Sequence, residues 1–148
     1  MRLENKTDIP IFLEDLLDRE WWEAEHSSLT LPVKPIQPLS DWRVEVYWLN
    51  GNAKKPFSGH CNPSRKLITI AINKRNTYPL TAKFAVGTEQ TPYGYKYIFE
   101  TIALNSPKEL IRFIFLHEFS HLLDYMQGLS LSYKQTKANR FALKHFKR

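Results

Sequence analysis

The chain has 148 residues, of which 43% are hydrophobic, 24% charged and 14% aromatic, and its formal net charge is +6. This length suits one domain with its own core, and the composition excludes a disordered tail, a collagen-like repeat and a disulfide-stapled mini-protein. No apolar run approaches the roughly 20 residues of a membrane span. The start, Met1 to Lys6, lacks the apolar run of a signal peptide. Cys61, the single cysteine, has no internal disulfide partner, so the expectation is a cytoplasmic protein with no membrane contact, a monomer or weak oligomer.

The charge is unevenly spread. Residues 1–25 hold three bases and eight acids, a net of −5, and the remainder carries +11. The last 17 residues carry six bases and no acid. Lys134, Lys137, Lys144, Lys147 and Arg148 form a candidate surface for DNA or another polyanion, against the plainer reading of a solvated helix face.

There is no internal repeat and no low-complexity segment. One domain is expected over 1–148: an acidic N-terminal helix within 1–28, a proline-rich strap over 29–42, and a core over 43–148. The helix is predicted from about Ile9 to Glu25, capped by Thr7 or Asp8, with Pro10 in its first turn. Ile9, Leu13, Leu16, Leu17 and Trp21 give its apolar stripe. Pro32, Pro35 and Pro38 favour an extended strap between Thr30 and Asp41. Arg43 to Leu49 alternates as a strand, and Asn50-Gly51 signals a turn. The segment Ser58 to Ser64 reads as turn-rich and leads into a second strand, Lys66 to Ile72. Thr81 to Val86 and Tyr95 to Leu104 read as a hairpin around Thr91-Pro92-Tyr93-Gly94. Ser106-Pro107-Lys108-Glu109 is a capping box that opens a helix from Pro107 to about Gln127, stopped by Gly128. Ser132-Tyr133-Lys134-Gln135 is a second capping box and opens a last helix. The fold class is α+β, with a small antiparallel or mixed sheet between helices.

His117-Glu118-Phe119-Ser120-His121 is an HExxH motif inside the long predicted helix. Residues four apart project from one helix face, so two imidazoles can hold one zinc ion through neutral ring nitrogens. Glu118 can act as general base on a zinc-activated water and pass the proton to a leaving amine. Leu110, Ile111, Phe113 to Leu116, Phe119, Leu122 and Leu123 make the helix apolar nearly all round, hence buried. Buried histidines and a glutamate need partners, and a metal supplies them. Asp124 shares the histidine face as a candidate to orient a ligand histidine, against a plain salt bridge near the helix end.

A catalytic zinc site takes three protein ligands and an open position. An antiparallel partner helix returns to the level of the motif near residues 135–142. There Gln135, Ala138, Asn139 and Ala142 share a face, with the alanines allowing close approach. Gln135 could ligate directly or through water, or could be occupied with its own capping box. His145 and Asp124 are the alternatives.

HExxH followed by Gln135-Thr136-Lys137-Ala138-Asn139-Arg140-Phe141-Ala142 resembles the HExxH…ExxA(N/D)xFA pattern of ImmA/IrrE-type glutamate-zincins. The stretch Gly59 to Ile70 resembles the strand entry of SprT-like metallopeptidases. Together the likeness spans roughly residues 57–146, with HExxH its most specific part. It implies a zincin-like core, Zn2+ as cofactor, and a peptide substrate added along the sheet edge, with Lys66 to Ile72 the candidate edge strand. It also implies that Asn139 supports a ligand histidine. The chain departs from the pattern at the third ligand, where Gln135 replaces glutamate. SprT-like proteins use a third histidine, and His145 is the one this chain offers. Cys61 could ligate as the upstream cysteine of peptide deformylases does, but their glycine-rich motif is absent, and a packed small hydrophobe is the better reading.

The expected function is a zinc-dependent metallopeptidase acting on a protein or peptide. The alternative is a non-catalytic zincin-fold module binding nucleic acid or an assembly. A third reading is a latent protease whose N-terminal helix or strap covers the cleft.

Overall fold

A computed structural model describes residues 1–17, 39–128 and 135–146. The class is α+β: a mixed four-stranded sheet, a separate two-stranded hairpin and two C-terminal helices packed together. The sheet order is β1 (Arg2–Asn5), β2 (Arg43–Trp48), β4 (Leu67–Ile72), β3 (Phe57–Asn62). β1, β2 and β4 run parallel, and β3 is antiparallel to β4. The hairpin is β5 (Leu80–Thr91) with β6 (Gly94–Leu104). The main helices are α2 (Pro107–Met126) and α3 (Gln135–Phe146); α1 is a single turn, Leu13–Leu16.

Alternation explains the sheet. Val44 and Val46 in β2 register with Ile68 and Ile70 in β4, and all four side chains are fully buried on one face. Gly59 and Cys61 of β3 register with Ile70 and Ile68 on that same face. Helix α2 lies against it, with fourteen of its residues buried. Ser106 caps α2 by accepting the Glu109 N–H at 3.2 Å, while the Glu109 carboxylate accepts the Asn105 N–H at 2.9 Å. Gly128, at φ +74°, ends it in the left-handed region where a side chain would be strained.

Three expectations are corrected here. The N-terminus begins with strand β1, and α1 starts at Leu13 rather than near Ile9. Asn5 accounts for this: its amide oxygen accepts the Thr7 N–H and hydroxyl, and its amide nitrogen donates to the Ile9 carbonyl. These bonds fix a turn where the helix was expected to open. The Asp15 carboxylate, not Thr7 or Asp8, accepts the Phe12 N–H at the helix start. The rest of the predicted helix, the Trp21-Trp22 pair and the strap up to Pro38 lie outside the described residues, as does any cover they give the cleft; Leu39–Asp41 form a turn of 3-10 helix.

The second correction is β3. The segment read as turns is a strand, because pairing with β4 overrides its turn-forming residues. The 3-10 turn Pro63–Arg65 and Lys66, at φ 51°, then reverse the chain into β4. The third follows from the second: β4 lies between β2 and β3, so among the described residues the free edge beside α2 belongs to β3, not to Lys66–Ile72. The hairpin is where it was expected and longer, with a bulge between Ala85 and Gly87.

Candidate metal centre

Helix α2 brings His117 and His121 together one turn apart, with ring centroids 5.0 Å apart. One donor atom from each of His117, Glu118 and His121 lies within 4.8 Å of the others. Glu118 and His121 are buried, each 5% exposed. Gln135, the first residue of α3, turns its amide oxygen toward both rings, 2.7 Å from His117 Nε2 and 3.3 Å from His121 Nε2. One turn on, Asn139 Oδ1 is 2.8 Å from His117 Nδ1. Asn139 is itself held, because its amide nitrogen donates to the Ala85 carbonyl at 2.8 Å. That carbonyl stands at the β5 bulge, and Arg140 donates to the next one, of Val86, at 2.9 Å.

The electrostatics follow from burial. Desolvation, then the neighbouring His121, lowers the His117 pKa to about 4. Desolvation also lowers His121, opposed by the Gln135 hydrogen bond and the Asp124 charge. Both rings are therefore neutral at pH 7, the form that offers a lone pair to a metal. Burial raises Glu118 to about 7, and its Oε2 has no hydrogen-bond partner among the described residues. Burial, then the Glu118 charge, pushes the Cys61 thiol up to about 12, as suits a packed small side chain rather than a thiolate ligand.

Other sequence candidates stand apart from this cluster. The Asp124 carboxylate is buried and accepts from Lys137 Nζ at 2.7 Å, while its second oxygen and His121 Nδ1 have no partner among the described residues. His145 is buried with its ring 4.3 Å from that of Phe141. Lys144 is exposed, and Lys134, Lys147 and Arg148 lie outside the described residues.

A cleft of about 300 Å3 opens onto the cluster, lined by Phe57, Gly59, Phe84, His117, Glu118 and Gln135 among others. Gly59 lets β3 lie close to α2: a Cβ there would come 2.6 Å from Ile114 Cγ2 and 3.2 Å from Glu118 Cγ. The sequence marks this glycine, though not its reason. The Ala85 carbonyl that holds Asn139 leaves no sequence signal, since it is a backbone group beside a bulge.

No known protein family, curated protein or solved structure matches the chain. Its class rests on its own architecture: an α+β protein with an HExxH motif on a buried helix and a His-Glu-His group able to hold a metal ion. No helix among the described residues is long and apolar enough to cross a membrane.

Proposed function

We propose that the chain is a zinc-dependent metallopeptidase of the zincin type. Its ligands are His117, His121 and Gln135, and its general base is Glu118. The observation that carries this is the convergence of both Nε2 atoms on one amide oxygen beside a buried carboxylate, one oxygen of which has no partner among the described residues.

The donor set fits a metal. The Ala85 carbonyl requires an N–H from Asn139, so Asn139 presents its oxygen to His117 Nδ1. That nitrogen must then carry the proton, which leaves a bare lone pair on Nε2 in the neutral ring. The lone pair faces the Gln135 oxygen at 2.7 Å. Two acceptors at that distance repel, so in the metal-free chain the glutamine turns its NH2 inward, and ligating a shared cation would have the amide turn its oxygen in and the two atoms move apart. Gln135 serves both states, with its oxygen toward a metal and its NH2 toward bare rings.

Zinc, when bound, supplies Lewis acidity and a water of near-neutral pKa. The chain's own groups do the rest. Glu118 takes the proton from water on its carboxylate and returns it to the leaving amine nitrogen. The Asn139 amide keeps the His117 ring turned toward the cleft. β3 offers its free edge to an extended peptide, with Gly59 holding that edge close to Glu118. A non-catalytic module is the second reading, favoured by one feature: Gln135 brings a neutral amide where the resembled pattern has a carboxylate.

The test is proteolysis of unfolded casein by the full chain supplied with zinc. Cleavage that stops with chelator, returns with zinc, and is absent in a Glu118→Gln variant that still holds zinc is the expected result. Zinc-loaded wild type as inert as Glu118→Gln overturns the peptidase reading in favour of the module.

A further inference from the structure

Residues 46–88 contain no aspartate or glutamate and seven lysines and arginines. Four of those cations, Lys54, Lys55, Lys74 and Arg75, sit on two loops that follow β2 and β4. The loops are tied together: Asn73 Nδ2 donates to the carbonyls of Ala53 (3.1 Å) and Lys55 (3.0 Å). Asn76 Nδ2 and the Asn73 backbone N–H donate to the Pro56 carbonyl at 2.9 and 3.0 Å. All four cations are exposed, and none forms an ion pair among the described residues. Lys74 Nζ lies 5.3 Å from the Trp48 ring centroid. Clustering unpaired like charges costs self-repulsion, which an anionic partner would relieve.

The cluster is continuous with the cleft. Lys54, Lys55 and Pro56 run directly into Phe57, the first residue of edge strand β3 and part of the cleft wall. We propose that these four residues form a docking platform for an acidic peptide segment, so that the cleft takes substrates with an acidic run on one side of the bond to be cut. Lys55 and Lys54 precede Gly59, the residue beside Glu118, by four and five positions. That is at most about 13–17 Å along the chain, which sets the acidic side chains within four or five residues of the cut. This continuity with the strand edge favours a peptide over a nucleic acid. The use made of the bound segment rests on the peptidase reading; its binding does not.

The test uses the full chain with Glu118→Gln, so that nothing is turned over, at 50 mM salt, with and without chelator. The probes are fluorescent 12-residue peptides with an apolar centre and three glutamates at either end, beside matched peptides carrying glutamine. One of the two glutamate peptides is expected to bind about tenfold tighter than its glutamine match, a preference that disappears at 0.5 M salt. It is expected to vanish in K54Q/K55Q/K74Q/R75Q and to survive in K96Q/K108Q, exposed lysines outside the platform. Equal binding of glutamate and glutamine peptides overturns the proposal, as does a preference that survives the quadruple variant. A single-stranded oligonucleotide of the same charge that displaces the probe more strongly than unlabelled glutamate peptide also overturns it, in favour of nucleic acid. The peptidase reading fails separately: it falls if wild type cleaves nothing, whatever the binding. If wild type cleaves glutamate and glutamine peptides equally, the platform falls and the peptidase stands.

Discussion

Helix α2 carries two stripes of opposite character. Phe115, Phe119, Leu122 and Met126 recur at helical spacing and are at most 1% exposed, with the Phe115 and Phe119 rings stacked at 5.5 Å. His117, Glu118, His121 and Asp124 lie elsewhere around the same helix, and three of their buried polar atoms have no partner: Glu118 Oε2, His121 Nδ1 and Asp124 Oδ2. Each such atom costs about 1–3 kcal/mol. The apolar stripe offsets that cost and holds the helix in place. Stability therefore rests on the first stripe and the candidate chemistry on the second, where Glu118 sits within the His-Glu-His group.

Breaking the apolar stripe should cost most. Phe115→Ala is expected to lower unfolding stability by about 3–5 kcal/mol in denaturant titration, while the fraction that remains folded keeps its metal. Changing the polar stripe should do the reverse. The Glu118 pKa is raised by burial from 4.5 to about 7, so its charge destabilises the metal-free fold above pH 7 and has no effect below pH 4.5. Metal-free Glu118→Gln is therefore expected to be more stable than metal-free wild type by up to roughly 3 kcal/mol at pH 8–9, the gap closing as pH falls to 4.5. The smallest effect separates holding a ligand from being one. Asn139→Ala is expected to weaken zinc binding by about 10–100-fold, with helix content unchanged by circular dichroism.

The α+β class, the hairpin and the limits of α2 were legible because each rests on a local signal: alternation, a capping box, a glycine stop. The histidine pair was legible because helical spacing is fixed by the backbone. β1 was not, because four residues, Arg2–Asn5, on a sheet edge carry no alternation and pair only after residue 43 has folded beside them. β3 was hidden by Ser58, Gly59 and Asn62, whose turn preference gives way to pairing with β4. The edge strand was misassigned for the same reason: strand order is a long-range property, and β4 became central only once β3 was a strand. Gln135 was suspected from its helix face and Asn139 from the resemblance, yet the Ala85 carbonyl that holds Asn139 is a backbone group that no residue identity encodes.

Whether His117, His121 and Gln135 hold one metal ion together decides the rest. The most direct measurement is zinc content per chain after equilibration with zinc and removal of excess, for wild type, His117→Ala and Gln135→Ala. One zinc per chain is expected in wild type, none in His117→Ala, and partial occupancy in Gln135→Ala that rises with free zinc. A wild-type chain that takes up no zinc, or one whose zinc is unchanged by losing His117, would contradict it.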